Sequence, residues 1–159
     1  FGYLFFNIYL KWGYSILGGA LTLSIMVLPL ILRTTEEALR SVSDTYREGS
    51  FGLGAGKLRT VFRIVLPSAV PGILAGVILA IGRIVGETAA LLYPAGTAPQ
   101  VADGLFSSGR TLAVHMYALL NEGLYTEQAY ATAVVLLVLV VCINALSSFA
   151  AKKAGVKEK

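Results

Sequence analysis

Apolar and polar positions in this chain fall into long blocks, not short alternations. No residue from Trp12 to Leu32 is charged, and Arg33 ends the run; none from Gln128 to Ala151 is charged, and Lys152 and Lys153 end it. Between them Ile64 to Gly82 is uncharged, after which Arg83 and Glu87 interrupt an apolar run that continues to Ala102. A helix needs about 20 apolar residues to cross a bilayer. The pattern therefore predicts three membrane helices, at about 13–33, 67–93 and 129–151. The opening stretch, Phe1 to Leu10, is apolar and aromatic but too short to span alone. No internal repeat or second domain is visible.

The connection at 34–66 is far longer than a minimal hairpin requires, and it is patterned. Thr34-Thr35-Glu36-Glu37 has the form of a helix start, a capping hydroxyl followed by first-turn acids. Ser43-Asp44 predicts a second start, for a helix from Thr45 to Leu53 with Gly52, Gly54 and Gly56 at its end. Lys57 to Val65 then mixes basic and apolar residues up to Leu66-Pro67. On chemistry alone this is either a docking surface for a cytosolic protein or a solvated basic loop.

Composition fixes the class. Of the 159 residues, 56% are apolar or aromatic and 14% are charged, against about 25% charged in soluble domains. The mean hydropathy is +0.73. These values describe an all-α integral membrane protein in a lipid bilayer. They exclude a soluble domain, a disordered tail and a nucleic-acid binder. One cysteine and one histidine provide neither a disulfide nor a metal site. With no nucleophile triad and no glycine-rich phosphate loop, the chain has no candidate catalytic residue and no cofactor of its own.

Charge sets the expected orientation. Arg33, Arg40, Arg47, Lys57, Arg59 and Arg63 cluster before the second span, and Lys152, Lys153, Lys157 and Lys159 follow the third. The other side has only Lys11 and Arg110. By the positive-inside rule, 34–66 and the C-terminus are cytoplasmic and 94–128 is external. Phe1 then lies outside, and no signal-peptide pattern opens the chain. The expected reading is the C-terminal part of a longer multi-pass protein of a cell membrane.

Arg83 and Glu87 are costly inside a span, about 2.5–3.5 kcal/mol each on insertion scales. On a continuous helix they share a face about 80° wide with Gly72, Gly76 and Ala80. Their i,i+4 spacing predicts an ion pair. Two roles stay open: a bridge that locks helix packing, or a guanidinium that meets a tetrahedral oxyanion in bidentate fashion.

A longer pattern brings in a family. Glu48-Gly49-Ser50, three residues, Gly54, nine residues, Ile64, one residue and Leu66-Pro67 resembles the EAA signature of ABC-importer permeases, with Gly49 and Ser50 in place of two alanines. Arg33 to Leu39 and Gly82 to Ala89 look like the phosphate-specific ABC permeases, and Gly109 to His115 favours their A-type subunit. The resemblance covers nearly the whole chain and is weakest in residues 1–12.

The resemblance implies an ABC type-1 transmembrane domain, of which residues 1–159 are the C-terminal part. It implies that Glu48, Gly49, Ser50, Gly54, Ile64, Leu66 and Pro67 couple the chain to a cytosolic ATP-binding subunit, with residues about 43–56 as the coupling element. Arg83 and Glu87 become part of the path for inorganic phosphate. ATP and Mg sit on the partner ATPase subunit. A second homologous permease subunit and an extracytoplasmic phosphate-binding protein complete the assembly, in the plasma membrane of a prokaryote. Rival readings are a permease for molybdate or sulfate, a non-transport assembly subunit, and an intramembrane enzyme using Glu87 and His115.

Overall fold

The computed structural model describes residues 1–123 and 125–153, with side chains as far as residue 149. The tail with Lys157 and Lys159 lies outside the described residues. After a π-helical turn at Tyr3–Tyr9 come α1 (Ile16–Arg40), α2 (Asp44–Gly52), α3 (Lys57–Thr60) and a π-helical segment at Val61–Val65. Then follow α4 (Leu66–Val85), α5 (Ala89–Leu92), α6 (Leu112–Glu122) and α7 (Thr126–Lys153). Among the described residues three helices are long and apolar enough to cross a membrane: α1, the continuous run Lys57–Gly86, and Thr126–Phe149 within α7.

Two of the expected boundaries move. A helix start at Thr34 does not form, because α1 runs unbroken to Arg40. Nothing there breaks a helix. Thr34 Oγ1 bonds back to the carbonyls of Leu30 (3.1 Å) and Ile31 (3.2 Å) instead of capping. Glu36 and Arg40 then form an i,i+4 ion pair at 2.6 Å that supports the final turn. The second boundary is the end of the middle helix, expected near 93 and found at Val85. Gly86 turns the chain, and the Glu87 amide closes onto the Ile84 carbonyl at 3.2 Å.

The π-helical segment before α4 has a local cause. Pro67 has no N–H to donate, and its ring crowds the preceding turn. Widening at Val61–Val65 accommodates it without ending the helix. The Ser68 hydroxyl donates to the Ile64 carbonyl at 2.7 Å.

The described residues form two compact units: Phe1–Val27 with Gly82–Ile143, and Leu28–Ile81 with the stretch from Asn144. In the second unit Ala38, Val42, Val65 and Ala69 make a small core, with Leu39 and Ile73 packed on it. Its seam joins α1 to α4. A Cβ placed on Gly72 would lie 2.7 Å from that of Ala38, and one on Gly76 would lie 2.2 Å from Thr34 Oγ1. Small residues let two membrane helices approach this closely, where lipid offers no hydrophobic drive to association. The small-residue face of the middle helix is thus a packing seam at Gly72 and Gly76.

In the first unit the core is Leu91, Ala95 and Val114, with Leu23 and Leu92 against it. The start of α1 is sealed by loop carbonyls. Pro94 accepts from the Ser15 amide, Ser107 from Ile16 and Leu105 from Leu17, at 3.0, 3.0 and 2.9 Å. These are the orphan first-turn donors that every helix leaves. Asn7 Nδ2 donates to the carbonyls of Tyr93 and Pro94, both at 3.3 Å. Aromatic rings cluster around this region: Phe6 stacks on Trp12, and Trp12 meets Phe106 edge-on.

Candidate functional site

The loop between α1 and α4 folds as a helix, a tight turn and a second helix. Ser43 caps α2, its hydroxyl accepting from the Thr45 amide at 3.4 Å, and Asp44 places an acid in the first turn. The exit is at Gly54, whose φ of +80° lies in the left-handed region. Side chains rarely adopt that conformation, so glycine is required there by backbone, not by space. A Cβ at Gly54 would meet nothing within 4 Å. The Ala55 amide reaches back to the Ser50 carbonyl at 3.1 Å, closing the turn.

The faces of α2 divide its residues into two sets. Glu48, Gly49, Phe51 and Leu53 are exposed, Leu53 at 91% of its full area. Arg47 and Ser50 point the other way. Ser50 is buried, and its hydroxyl lies 2.9 Å from that of buried Thr60 on α3. Thr60 also donates to the Gly56 carbonyl at 3.2 Å. Arg47 pairs with Asp44 and donates from Nη2 to the Leu39 carbonyl, 2.8 Å away, in the last turn of α1.

Beyond the turn, Lys57, Arg59 and Arg63 are exposed together with Leu58, Val61 and Phe62. Ile64 and Leu66 are half-buried and Pro67 is exposed. The residues expected to couple the chain to a partner therefore split. Glu48 and Gly49 stand on the open face, Gly54 shapes the turn, and Ser50 fastens the helix from within. This surface offers large apolar side chains among cations.

Arg83 and Glu87 do not form the expected pair. Arg83 is exposed in the last turn of α4, and Glu87 lies past the helix end. Without helix between them the i,i+4 geometry is lost, and no ion pair joins them among the described residues. Glu87 Oε1 instead accepts from the Ala90 amide at 3.2 Å, bonding an otherwise open donor of α5. The sequence signal was present in Gly86 followed by Glu87-Thr88, a stop and a cap. On the enzyme reading, His115 is half-buried on α6 and no hydrogen bond connects it with Glu87 among the described residues. Arg110 reaches the Thr97 carbonyl at 3.5 Å.

Reading the sequence missed Arg47 and Thr60. A faint signal existed for the first: an arginine three residues after Asp44, just past the end of an apolar helix, is placed to meet both the acid and the helix's open carbonyls.

Comparison with known proteins agrees with the helical pattern. A family model described as "Binding-protein-dependent transport system inner membrane component" matches residues 1–155. The chain is 40% identical over 140 residues to the probable ABC transporter permease protein YqgI of Bacillus subtilis, covering 80% of this chain and 48% of that protein. It is 36% identical over 139 residues to the phosphate transport system permease protein PstA homolog of Mycoplasma pneumoniae, 86% of this chain and 21% of that one. A third relative is the phosphate transport system permease protein PstA 2 of Mycobacterium bovis, 44% identical over 95 residues, 60% of this chain and 32% of the relative. The chain thus spans about half the length of the first of these relatives and less of the others. No solved structure gives a significant match.

Proposed function

We propose that this chain, which belongs to the family of binding-protein-dependent transport system inner membrane components, is the C-terminal part of the permease subunit of an ATP-driven phosphate importer. The observation that carries the reading is the fold of the loop between α1 and α4. Its short helix exposes Glu48, Gly49, Phe51 and Leu53 while Arg47 and Ser50 hold it from behind. The permease names of the relatives support the same reading.

In this proposal α2 is the coupling helix and docks in a cleft of a cytosolic ATP-binding subunit, where ATP and Mg are held. Residues 34–66 and the C-terminus face the cytoplasm of a prokaryotic cell and 94–128 faces outward. A second homologous permease subunit completes the pore, and an extracytoplasmic phosphate-binding protein delivers inorganic phosphate. Arg83 and Glu87 belong to the phosphate path as separate charges, each available to a passing anion or its proton, since neither is neutralised by the other.

The test is phosphate uptake by cells that express the full-length permease with its ATP-binding subunit. Gly54→Val keeps the protein in the membrane, abolishes uptake and releases the ATP-binding subunit from the purified complex. Normal uptake and association in that variant overturns the coupling assignment. Uptake of sulfate or molybdate in preference to phosphate overturns the substrate.

A further inference from the structure

Two polar fastenings hold α2 against its own unit, and they lie three residues apart on one side of the helix. One is the buried Ser50–Thr60 hydroxyl contact. The other is Arg47, which spans from the Asp44 carboxylate to the Leu39 carbonyl. The second has the more specific chemistry. Leu39 lies in the last turn of α1, where carbonyls lack helical partners and carry the negative end of the helix dipole. A planar guanidinium presents its donors on separate nitrogens in a rigid fork that reaches two acceptors several ångströms apart, whereas an ammonium gathers its three donors on one nitrogen. The side chain is 31% exposed, and its bridge crosses the short link Ser41–Ser43. That link holds one core residue, Val42, and without Arg47 the only polar fastening left to α2 among the described residues is Ser50–Thr60, which ties it to α3 and not to the end of α1.

We propose that Arg47 is a positioning residue that makes α2 and the last turn of α1 move as one body. The inference rests on the reading of α2 as the coupling helix and adds how its displacement reaches a membrane helix. When a partner moves α2, the Arg47 bridge pulls on the Leu39 carbonyl and so on α1 directly, without slack in residues 41–43. Glu48, the adjacent charge, faces outward and takes no part in the bridge.

The experiment uses the full-length permease assembled with its partners in proteoliposomes, in a Cys142→Ser background. Two quantities are read for wild type, Arg47→Ala and Arg47→Lys: phosphate moved per ATP hydrolysed, and the distance distribution between spin labels at Glu36→Cys and Tyr46→Cys. Arg47→Ala should lower the transport ratio by about tenfold, within the span typical of coupling between sites, and broaden the distribution. Arg47→Lys, whose donors share one nitrogen where Arg47 uses Nη1 and Nη2, should fall between. If Arg47→Ala does not assemble, the Lys variant decides by the same two readings.

A narrow distribution in the variants overturns the proposal whatever transport does. A wild-type ratio of phosphate to ATP overturns it too, even if both rates fall together, because a merely structural loss slows them in step. Failure of the wild-type complex to move phosphate, with the distribution still broadened by Arg47→Ala, keeps the bridge and overturns the permease reading.

Discussion

The hydroxyls of Ser50 and Thr60 lie 2.9 Å apart, both buried, and this contact joins the short helix α2 to the beginning of the long helical run that includes α4. A buried hydroxyl that loses its partner costs about 1–3 kcal/mol, whereas replacing both members by apolar groups is nearly neutral. Thr60 keeps a second acceptor in the Gly56 carbonyl, so Ser50→Ala should cost about 1 kcal/mol. Thr60→Val should cost more, since Ser50 then loses its partner. The double variant should be milder than the two losses added. A double-mutant cycle on the thermal midpoint of the purified complex reads this directly, and strict additivity would dissolve the pair.

Gly54 separates backbone from space. Its φ of +80° penalises any side chain, yet a Cβ there meets nothing within 4 Å. Gly54→Asn should be tolerated best, Gly54→Ala should cost about 1–2 kcal/mol, and Gly54→Val more. That order should appear in retention of the ATP-binding subunit and in phosphate uptake. Gly49→Ala, in open space on a helix, should stabilise α2 slightly; any effect on uptake then reports docking at that face.

The seam between α1 and α4 responds oppositely. A methyl group on Gly76 would lie 2.2 Å from Thr34 Oγ1 and 2.6 Å from its Cβ, too near the backbone to be relieved by rotation. Gly76→Ala should lower the thermal midpoint and Gly76→Leu should prevent accumulation in the membrane. Quantitative blotting of membrane fractions checks both.

Arg83 and Glu87 can be tested separately because they are not paired. Glu87→Gln keeps an oxygen for the Ala90 amide, whereas Glu87→Ala removes that cap and costs about 1 kcal/mol. Uptake that falls in both variants at equal abundance marks the carboxylate as part of the path. A fall in Glu87→Ala alone marks it as a cap only. Arg83→Lys should retain part of the uptake and Arg83→Gln almost none, since only the latter removes the cation. Full uptake by Arg83→Gln withdraws that residue from the path.

Orientation is checked by labelling. In the Cys142→Ser background, Ser43→Cys should react with a membrane-impermeant thiol reagent only from the cytoplasmic side, and Asp103→Cys only from outside. Reversed reactivity overturns the assignment of α2 to the cytoplasm.

Much of this was written in one dimension. Uncharged blocks give three spans because bilayer thickness acts on length and charge alone. Ser43-Asp44 and the Gly52–Gly56 cluster gave α2 its ends because capping and left-handed turns are local events. What escaped were decisions made by neighbours. Thr34-Thr35-Glu36-Glu37 has the composition of a cap, but a helix arriving from upstream takes the same residues without interruption. Arg83 and Glu87 have the spacing of a pair only if Gly86 stays helical, and it does not. Ser50 reads as part of a docking face in a motif; its inward direction is known only once Thr60 is placed across from it.

The seal on the start of α1 also governs when that helix can be finished. Asn7 and its carbonyl partner Tyr93 are 86 residues apart in the chain, and the acceptors for the Ile16 and Leu17 amides come later still, at Ser107 and Leu105. At a synthesis rate of roughly 5–20 residues per second, the partner of Asn7 emerges about 4–17 s after Asn7 itself. During that interval the first amides of α1 have no protein acceptor, and hydrocarbon supplies none. In the proposed orientation the nascent helix waits with its outer end wetted, at the headgroup level that suits Trp12 and Tyr14, until the segment after α5 crosses and closes over it.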